Sequence, residues 1–289
     1  MKIIILGASG LIGHTLFQKL SERFDCVYGI LHSSKEKYKK FGIFENDKVI
    51  DKIDVLTFNE LEKIFQTVDP DVVLNCVGVT KRKDEIKDIE KVLLVNAVFP
   101  HKLANWAKKN KKRVIHFSTD CVFNGKEGNY TEESVTTGED IYGKSKALGE
   151  IKYKHTLTIR SSFIGQELSG KTELLEWFLS QSKSVKGFRK SLYSGVSTIF
   201  MSKIVCDIIE FFPNLSGLYQ LATQVPISKY ELICIANDYF NKNIEIIPED
   251  LFETKPTLVG DKLQEIMKFD VPSWNEMMEE LSINKEFYS

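Results

Sequence analysis

The chain lacks any apolar stretch of about 18 residues, the length that a membrane-spanning helix needs. The opening run in MKIIILGASG is short and ends in glycines, so an export signal is not expected. A surplus of charge is missing too. The 39 Lys and Arg stand against 40 Asp and Glu, for a net charge of -1. No global field draws such a chain to nucleic acid or to a membrane, and neither is an expected partner. The basic run from Lys108 to Arg113 closes a helical pattern and reads as a solvated helix end. Cysteines are few: Cys26, Cys76, Cys121, Cys206 and Cys234 are scattered, with no C-x-x-C. That argues against a disulfide framework and a zinc site, and for a reducing, cytoplasmic setting. Composition gives no hint of any other metal. Repeats and low-complexity linkers are absent, so any internal boundary is soft.

What is present is a chain of 289 residues with an ordinary apolar content of 43%. That length allows one large domain or a domain with a smaller lobe. The first half alternates short apolar runs with amphipathic segments. KIIIL precedes LIGHTLFQKLSERF, DVVLNCVG precedes a helical stretch, and RVIHFST precedes a loop. Short β-rich runs spaced by helices predict βαβ units in an α/β fold with a doubly wound parallel sheet. TLTIRSSFIG and GLYQLAT read as further strands, and TELLEWFLSQ and ISKYELICIANDYF as helices. The expected division is a first, larger domain over 1–165. A smaller lobe follows over 166–289, with some segments returning to the first domain. Trp106, Trp177, Phe178 and Trp274 are expected in the core.

The first strand runs into GASGLIG, with Gly7, Gly10 and Gly13 opening a helix. Glycines there allow a tight turn and close approach of a pyrophosphate to the helix N-terminus. The second strand leads to His32, Ser33, Ser34 and Lys35, without the carboxylate that would bind a ribose 2′-hydroxyl. The phosphate of NADP(H) suits that loop better, with NADH left open. Downstream, Tyr142 and Lys146 stand one helical turn apart in IYGKSKALGE. A phenol serves as an acid–base group near neutral pH only with a cation beside it.

The G-x-x-G-x-x-G spacing resembles the extended short-chain dehydrogenase/reductase family. PDVVLNCVGVT, VNA, STDCVF and YGKSKALGE resemble its dTDP-4-dehydrorhamnose reductase-like group of nucleotide-sugar reductases. The resemblance implies a Rossmann-type fold with a C-terminal substrate-binding lobe. It implies cofactor contacts from Gly7, Ser9, Gly10, Leu11 and Ile12, and from His32, Ser33 and Lys35. Asp54 and Val55, Cys76 to Gly78 with Val77 between, Asn96 and Ser118 complete that set with Tyr142 and Lys146. The implied reaction is hydride transfer from NADPH to C4 of a nucleotide-linked 4-keto-6-deoxyhexose. In it Tyr142 donates the proton, Lys146 biases the phenol and holds the ribose, and Thr119 stabilises the developing alkoxide. Thr80, Asp120, Val122, Phe123, Ser162 and Lys171 are implied at the sugar. SGVST lacks the proline of the group's G-x-P-T segment, which leaves the sugar pocket less defined. Related reductases are often homodimers.

Cys121 has two readings. Cysteine is often a small buried hydrophobe. The same register resembles the S-S-C-I-Y of GDP-fucose synthases, whose cysteine moves protons at carbons beside a 4-keto group. A thiol of ordinary pKa near 8.5 suits that role. The second acid would then be Lys171 or Glu173, since no histidine follows His155. Three classes stand open: a 4-reductase with or without C3 epimerisation, an NAD-dependent 4,6-dehydratase or 4-epimerase, and a non-catalytic NADP-binding regulator. For the first, a UDP-linked 2-acetamido-2,6-dideoxy-L-hexose such as UDP-N-acetyl-L-rhamnosamine, or dTDP-L-rhamnose, is the expected product.

Overall fold

The computed structural model describes residues 1–82 and 84–288. Seven strands make the central sheet: β1 (Lys2–Leu6), β2 (Cys26–Ile30), β3 (Val49–Ile50), β4 (Val72–Asn75), β5 (Arg113–Ser118), β6 (Thr156–Arg160) and β7 (Gly217–Gln220). All pair in parallel, in the spatial order 7-6-5-4-1-2-3. This is the expected doubly wound Rossmann sheet, with its topological switch between β1 and β4.

Alternation along the strands feeds two cores. Ile3 and Ile5 of β1, Leu74 of β4 and Ile115 of β5 face α1 (Leu11–Arg23). Ile4, Leu6, Val73 and Val114 face the opposite way, toward α2 (Phe58–Val68), the short α3 (Ile89–Leu93) having led the chain into α4 (Phe99–Asn110). On that second face the Phe65 and Trp106 ring centres lie 4.2 Å apart, tilted by 40°. Helix α5 (Ile141–Leu148) follows β5 and carries Tyr142 and Lys146.

Beyond residue 166 the chain serves both layers. Between α6 (Leu174–Leu179) and α8 (Lys229–Tyr239), helix α7 (Thr198–Phe211) packs on α1 and β7 extends the sheet. Residues 185–188 pair with 246–249, and 192–193 with 227–228, forming the lobe beside α8. Helices α9 (Asp261–Met267), α10 (Trp274–Ile283) and α11 (Lys285–Tyr288) close the chain. Trp106, Phe178 and Trp274 are buried as expected, but Trp177 is 37% exposed. Helix α6 has only six residues, and its inward face is already filled by Leu175 and Phe178 at i and i+3. Arg113 also departs from a solvated helix end. Its guanidinium donates to the carbonyls of Phe212 and Leu215, just past the C-terminus of α7.

His14 is fully buried on α1, and burial pulls its pKa from 6.5 down to about 4. Between those values the unfolded chain holds a proton that the folded chain lacks. Stability therefore rises with pH across that window and is lost on acidification, by about 3 kcal/mol over the whole of it. Burial pushes His116 in the same direction. The urea midpoint is expected to fall between about pH 7.5 and about pH 5. In His14→Gln that fall should shrink, and an equal fall in the variant would contradict this account.

Candidate active site

Local sterics set the β1–α1 turn. Gly7 sits at φ +73, and its N–H and that of Ala8 both donate to the Ile30 carbonyl at 3.0 Å. A Cβ at Gly13 would lie 2.2 Å from the Gly7 oxygen, so the helix can start against β1 only with glycine there. Gly10 caps α1 without a side chain, and no acidic residue stands in its first turn. The positive end of the helix dipole thus faces the space above β1.

That space is the end of a cavity of about 1220 Å³, whose walls follow the C-terminal ends of β1, β4, β5 and β6. It exceeds the roughly 300–1,000 Å³ of a pocket for one small molecule, so two ligands can share it. The glycine turn, the uncapped helix and the contiguous volume fit a dinucleotide with its pyrophosphate at Gly10 and its reactive end near Tyr142.

The chemistry-bearing residues meet midway along the cavity. Thr119 ends β5 and caps a short turn: its Oγ1 donates to Asp120 Oδ1 at 3.0 Å and accepts the Cys121 N–H at 3.2 Å. Asp140 caps α5, accepting the Gly143 N–H at 2.7 Å. Gly143 then passes so close to the Cys121 turn that a Cβ would stand 2.2 Å from the Cys121 carbonyl oxygen. This contact brings the Tyr142 phenol beside Thr119 and Cys121. A displacement of about 1 Å at reacting groups costs about a hundredfold in rate. Gly143→Ala, which forces that turn to shift, should lose turnover on that order and lower the melting temperature as well. A variant with full turnover would break the argument from close approach.

Lys146 is buried, and its ammonium donates to the Phe117 carbonyl at 2.7 Å. Asn75 Oδ1 accepts the Val77 N–H, so Asn75 Nδ2 faces His116 Nδ1 at 3.1 Å. Nε2 of His116 lies 3.5 Å from Lys146 Nζ. Burial brings Lys146 down to about 8, with Glu150 and Cys76 holding it up. The Tyr142 phenol is pushed well above its usual range, by burial first and by Cys121 next, while a hydrogen bond with Thr119 opposes the shift. It is a protonated phenol at neutral pH, as a proton donor must be.

Cys121 departs from the expected thiol near neutrality. Burial, then Asp120, pushes it up to about 11, against the pull of Lys81 and Thr119. It is a proton holder here rather than a ready base. Lys81 reaches the thiol and lies 3.9 Å from Asp140. Burial pushes the Cys76 thiol far up as well.

Most of the residues expected to contact the cofactor or the sugar line this cavity, and four do not. Lys35 starts a short 3-10 helix, where its N–H donates to Asp51 Oδ2 at 2.8 Å, and Lys37 of that helix lines the wall instead. Asn96 is fully buried, with its amide spent on both backbone groups of Val79 and on Ser145 Oγ. Val122 packs with Phe123, Tyr130 and Leu258 in a small core. Lys171 is exposed, and its neighbours Thr172 and Glu173 line the wall in its place. Sequence reasoning missed Lys81, Arg82, Tyr193 and Lys229, which also line the cavity. Lys81 and Arg82 carried one signal, a basic pair directly after a strand-end NCVGVT. Tyr193 and Lys229 carried none.

Among the described residues, no group of His, Cys, Asp and Glu is arranged to hold a metal ion. No described helix is long and apolar enough to cross a membrane. The sheet order, with a Tyr-Lys pair on α5 facing a threonine at the end of β5, defines the extended short-chain dehydrogenase/reductase class. Within that class the chain belongs to the family described as RmlD substrate binding domain, whose profile matches residues 1–283. The probable low-salt glycan biosynthesis reductase Agl14 of Haloferax volcanii is 28% identical over 272 residues, 90% of this chain and 85% of its own. Methionine adenosyltransferase 2 subunit beta of Xenopus tropicalis is 24% identical over 257 residues, 83% of this chain and 72% of its own. Among solved structures, dTDP-4-dehydrorhamnose reductase of Bacillus anthracis in complex with NADP shares the fold. Its TM-score is 0.80 at 20% identity, with 98% of this chain and 99% of that one covered.

Proposed function

We propose that the protein reduces the C4 keto group of a nucleotide-linked 4-keto-6-deoxyhexose with NADPH. One observation carries the reading: the Tyr142 phenol, held protonated and hydrogen-bonded with Thr119, faces a cavity large enough for a dinucleotide and a sugar nucleotide. The turn from Gly7 to Ile12 would hold the pyrophosphate, and Asp54 and Val55 the adenine side. His32, Ser33 and Lys37 line the 2′-phosphate end without a carboxylate, which supports NADPH over NADH. A bound NADPH supplies the hydride. Tyr142 gives its proton to the carbonyl oxygen as negative charge grows there, and Thr119, turning its one hydroxyl proton from Asp120 to the substrate, donates a hydrogen bond to that oxygen. Two of the three Lys146 N–H donors are left over from its bond to Phe117, for the phenol and a ribose hydroxyl. Asp120 accepts from a sugar hydroxyl, and the lobe over 166–289 covers the nucleotide.

Cys121 is proposed to add C3 epimerisation before reduction. Its thiol neighbours Tyr142 and hydrogen-bonds with Lys81, so it can take a proton from one face of the carbon beside the keto group, and a second acid returns one to the other face. The upward shift means the thiol needs Lys81 to become a base in the loaded site. Glu173 lines the same cavity and replaces Lys171 as candidate for the second proton. Turnover with NADPH in D₂O tests this. Deuterium at C3 or C5 above a no-enzyme control, lost in Cys121→Ser, is expected. Reduction at C4 without excess deuterium would make Cys121 packing. Parallel assays with UDP-2-acetamido and dTDP-linked substrates assign the branch; turnover of the dTDP sugar alone would sink the UDP-acetamido assignment.

The likeness to methionine adenosyltransferase subunit beta favours a second reading, a nucleotide-binding regulatory subunit. That reading predicts that Tyr142 is dispensable for biological activity.

A further inference from the structure

The last helix touches the dinucleotide end of the molecule from outside. Helix α11 places Tyr288 Oη 2.8 Å from His14 Nε2, while His14 Nδ1 lies 2.8 Å from the Gly10 carbonyl oxygen. A carbonyl oxygen can only accept, so Nδ1 carries the ring proton and Nε2 accepts from the Tyr288 hydroxyl. The imidazole is neutral at physiological pH, because burial holds its pKa down at about 4. A two-bond relay therefore runs from Tyr288 to Gly10, the residue at which α1 begins. Gly10 is also tied to Gly7 through its own N–H, at 3.0 Å.

The same helix supports the other side of the dinucleotide cavity. The Phe287 ring lies 5.4 Å from the Phe41 ring, and Tyr288 lies 6.4 Å from it. Phe41 ends the 3-10 helix over Lys35–Phe41, whose Lys37 and Tyr38 line the cavity. Tyr38 packs in turn on Phe44, and Phe44 on Phe17 of α1. A 3-10 helix of seven residues has poor hydrogen-bond geometry and holds its place chiefly by packing. Two adjacent aromatics thus reach both structures that flank the dinucleotide site, the glycine turn through His14 and the 3-10 helix through Phe41, without lining the cavity.

We propose that Phe287 and Tyr288 are positioning residues for dinucleotide binding, acting through Phe41 and His14. The inference rests on the reading of the cavity as an NADPH site. It predicts a selective defect. The hydroxyl of Tyr288 meets His14 and Thr15, both on α1, and losing it in Tyr288→Phe should raise the Kd and KM for NADPH about threefold. Removing residues 285–289 takes away both rings and should raise them about tenfold or more. In both variants kcat, and the KM for the sugar nucleotide, should stay within about twofold of the parent, because nothing at Thr119, Tyr142 or Lys146 is touched.

The experiment is a fluorescence titration of the full chain and both variants with NADPH and with adenosine 2′,5′-bisphosphate, beside steady-state kinetics and melting curves. Weakened binding of both probes with an unchanged kcat supports the proposal. Equal Kd values in the full chain and in folded variants overturn it. A general loss of kcat and sugar affinity along with melting temperature would also overturn it, as a purely structural role. If the shortened chain fails to fold, Tyr288→Phe decides alone, since it keeps the ring and removes one oxygen. A full-length protein that binds neither probe would instead bring down the functional reading.

Discussion

Phenylalanine at Tyr142 is expected to lower kcat about a thousandfold, the usual range for losing a general acid in its transition state. The substitution removes one oxygen and leaves the ring where Gly143 and the Cys121 turn put it. Binding should survive, since the phosphate-holding turn from Gly7 to Ile12 is untouched. The loss should therefore fall on kcat with little change in KM. Thr119→Val should show a smaller loss in the same direction, because a second donor to the same oxygen disappears. Rapid-quench measurement of NADPH oxidation checks both. A Tyr142→Phe protein with undiminished turnover would remove the catalytic reading of the phenol. If the protein showed no turnover at all but kept its biological activity in that variant, the regulatory-subunit reading would stand.

The largest stability effect is expected behind the site, at Glu150. Its carboxylate accepts from Arg160 Nε at 2.8 Å, from Arg160 Nη2 at 2.7 Å and from Ser118 Oγ at 2.8 Å. Arg160 is fully buried, with its guanidinium 4.9 Å from the centre of the Phe123 ring, whose other neighbour is the stacked Tyr130 at 4.0 Å. Nη1 of Arg160 already has no partner. Glu150→Ala would strand the whole guanidinium without water or counter-charge, at a cost of about 3–5 kcal/mol. The melting temperature should drop on the order of 10 °C. The double variant Glu150→Leu with Arg160→Leu should recover most of that loss, because an apolar pair of similar volume needs no partner. Ser118 and Phe123 flank the catalytic turn, so activity in the double variant reports how much the pair positions Thr119. A double variant as unstable as the single one would contradict the electrostatic account.

What the sequence made legible was local. Strand KIIIL followed by GASGLIG announces its turn because three glycines are needed within one turn of chain. Tyr142 and Lys146 announce themselves by helical spacing, and Cys121 by its place two residues after Thr119. What stayed hidden depends on elements far apart in the chain. Lys35 and Lys37 cannot be told apart until the chain after β2 is known to coil into a 3-10 helix. Asn96 looks like a ligand residue in VNA, yet its amide fastens the segment after β4 to α5 through Val79 and Ser145. Lys229 and Tyr193 arrive from the lobe, on segments whose pairing of 192–193 with 227–228 no local pattern foretells. The thiol pKa was not readable either, since burial and the neighbouring Asp120 set it.

The most direct test of the account is isotope transfer. The protein would be given a nucleotide-linked 4-keto-6-deoxyhexose with NADPH carrying deuterium at C4 of the nicotinamide, each of the two labelled forms in turn. The account predicts that one form, and not the other, delivers deuterium to C4 of the sugar, with one NADPH oxidised per product. Consumption of the sugar without NADPH oxidation, or without label at C4, would contradict it and point to a dehydratase or epimerase that recycles its own cofactor.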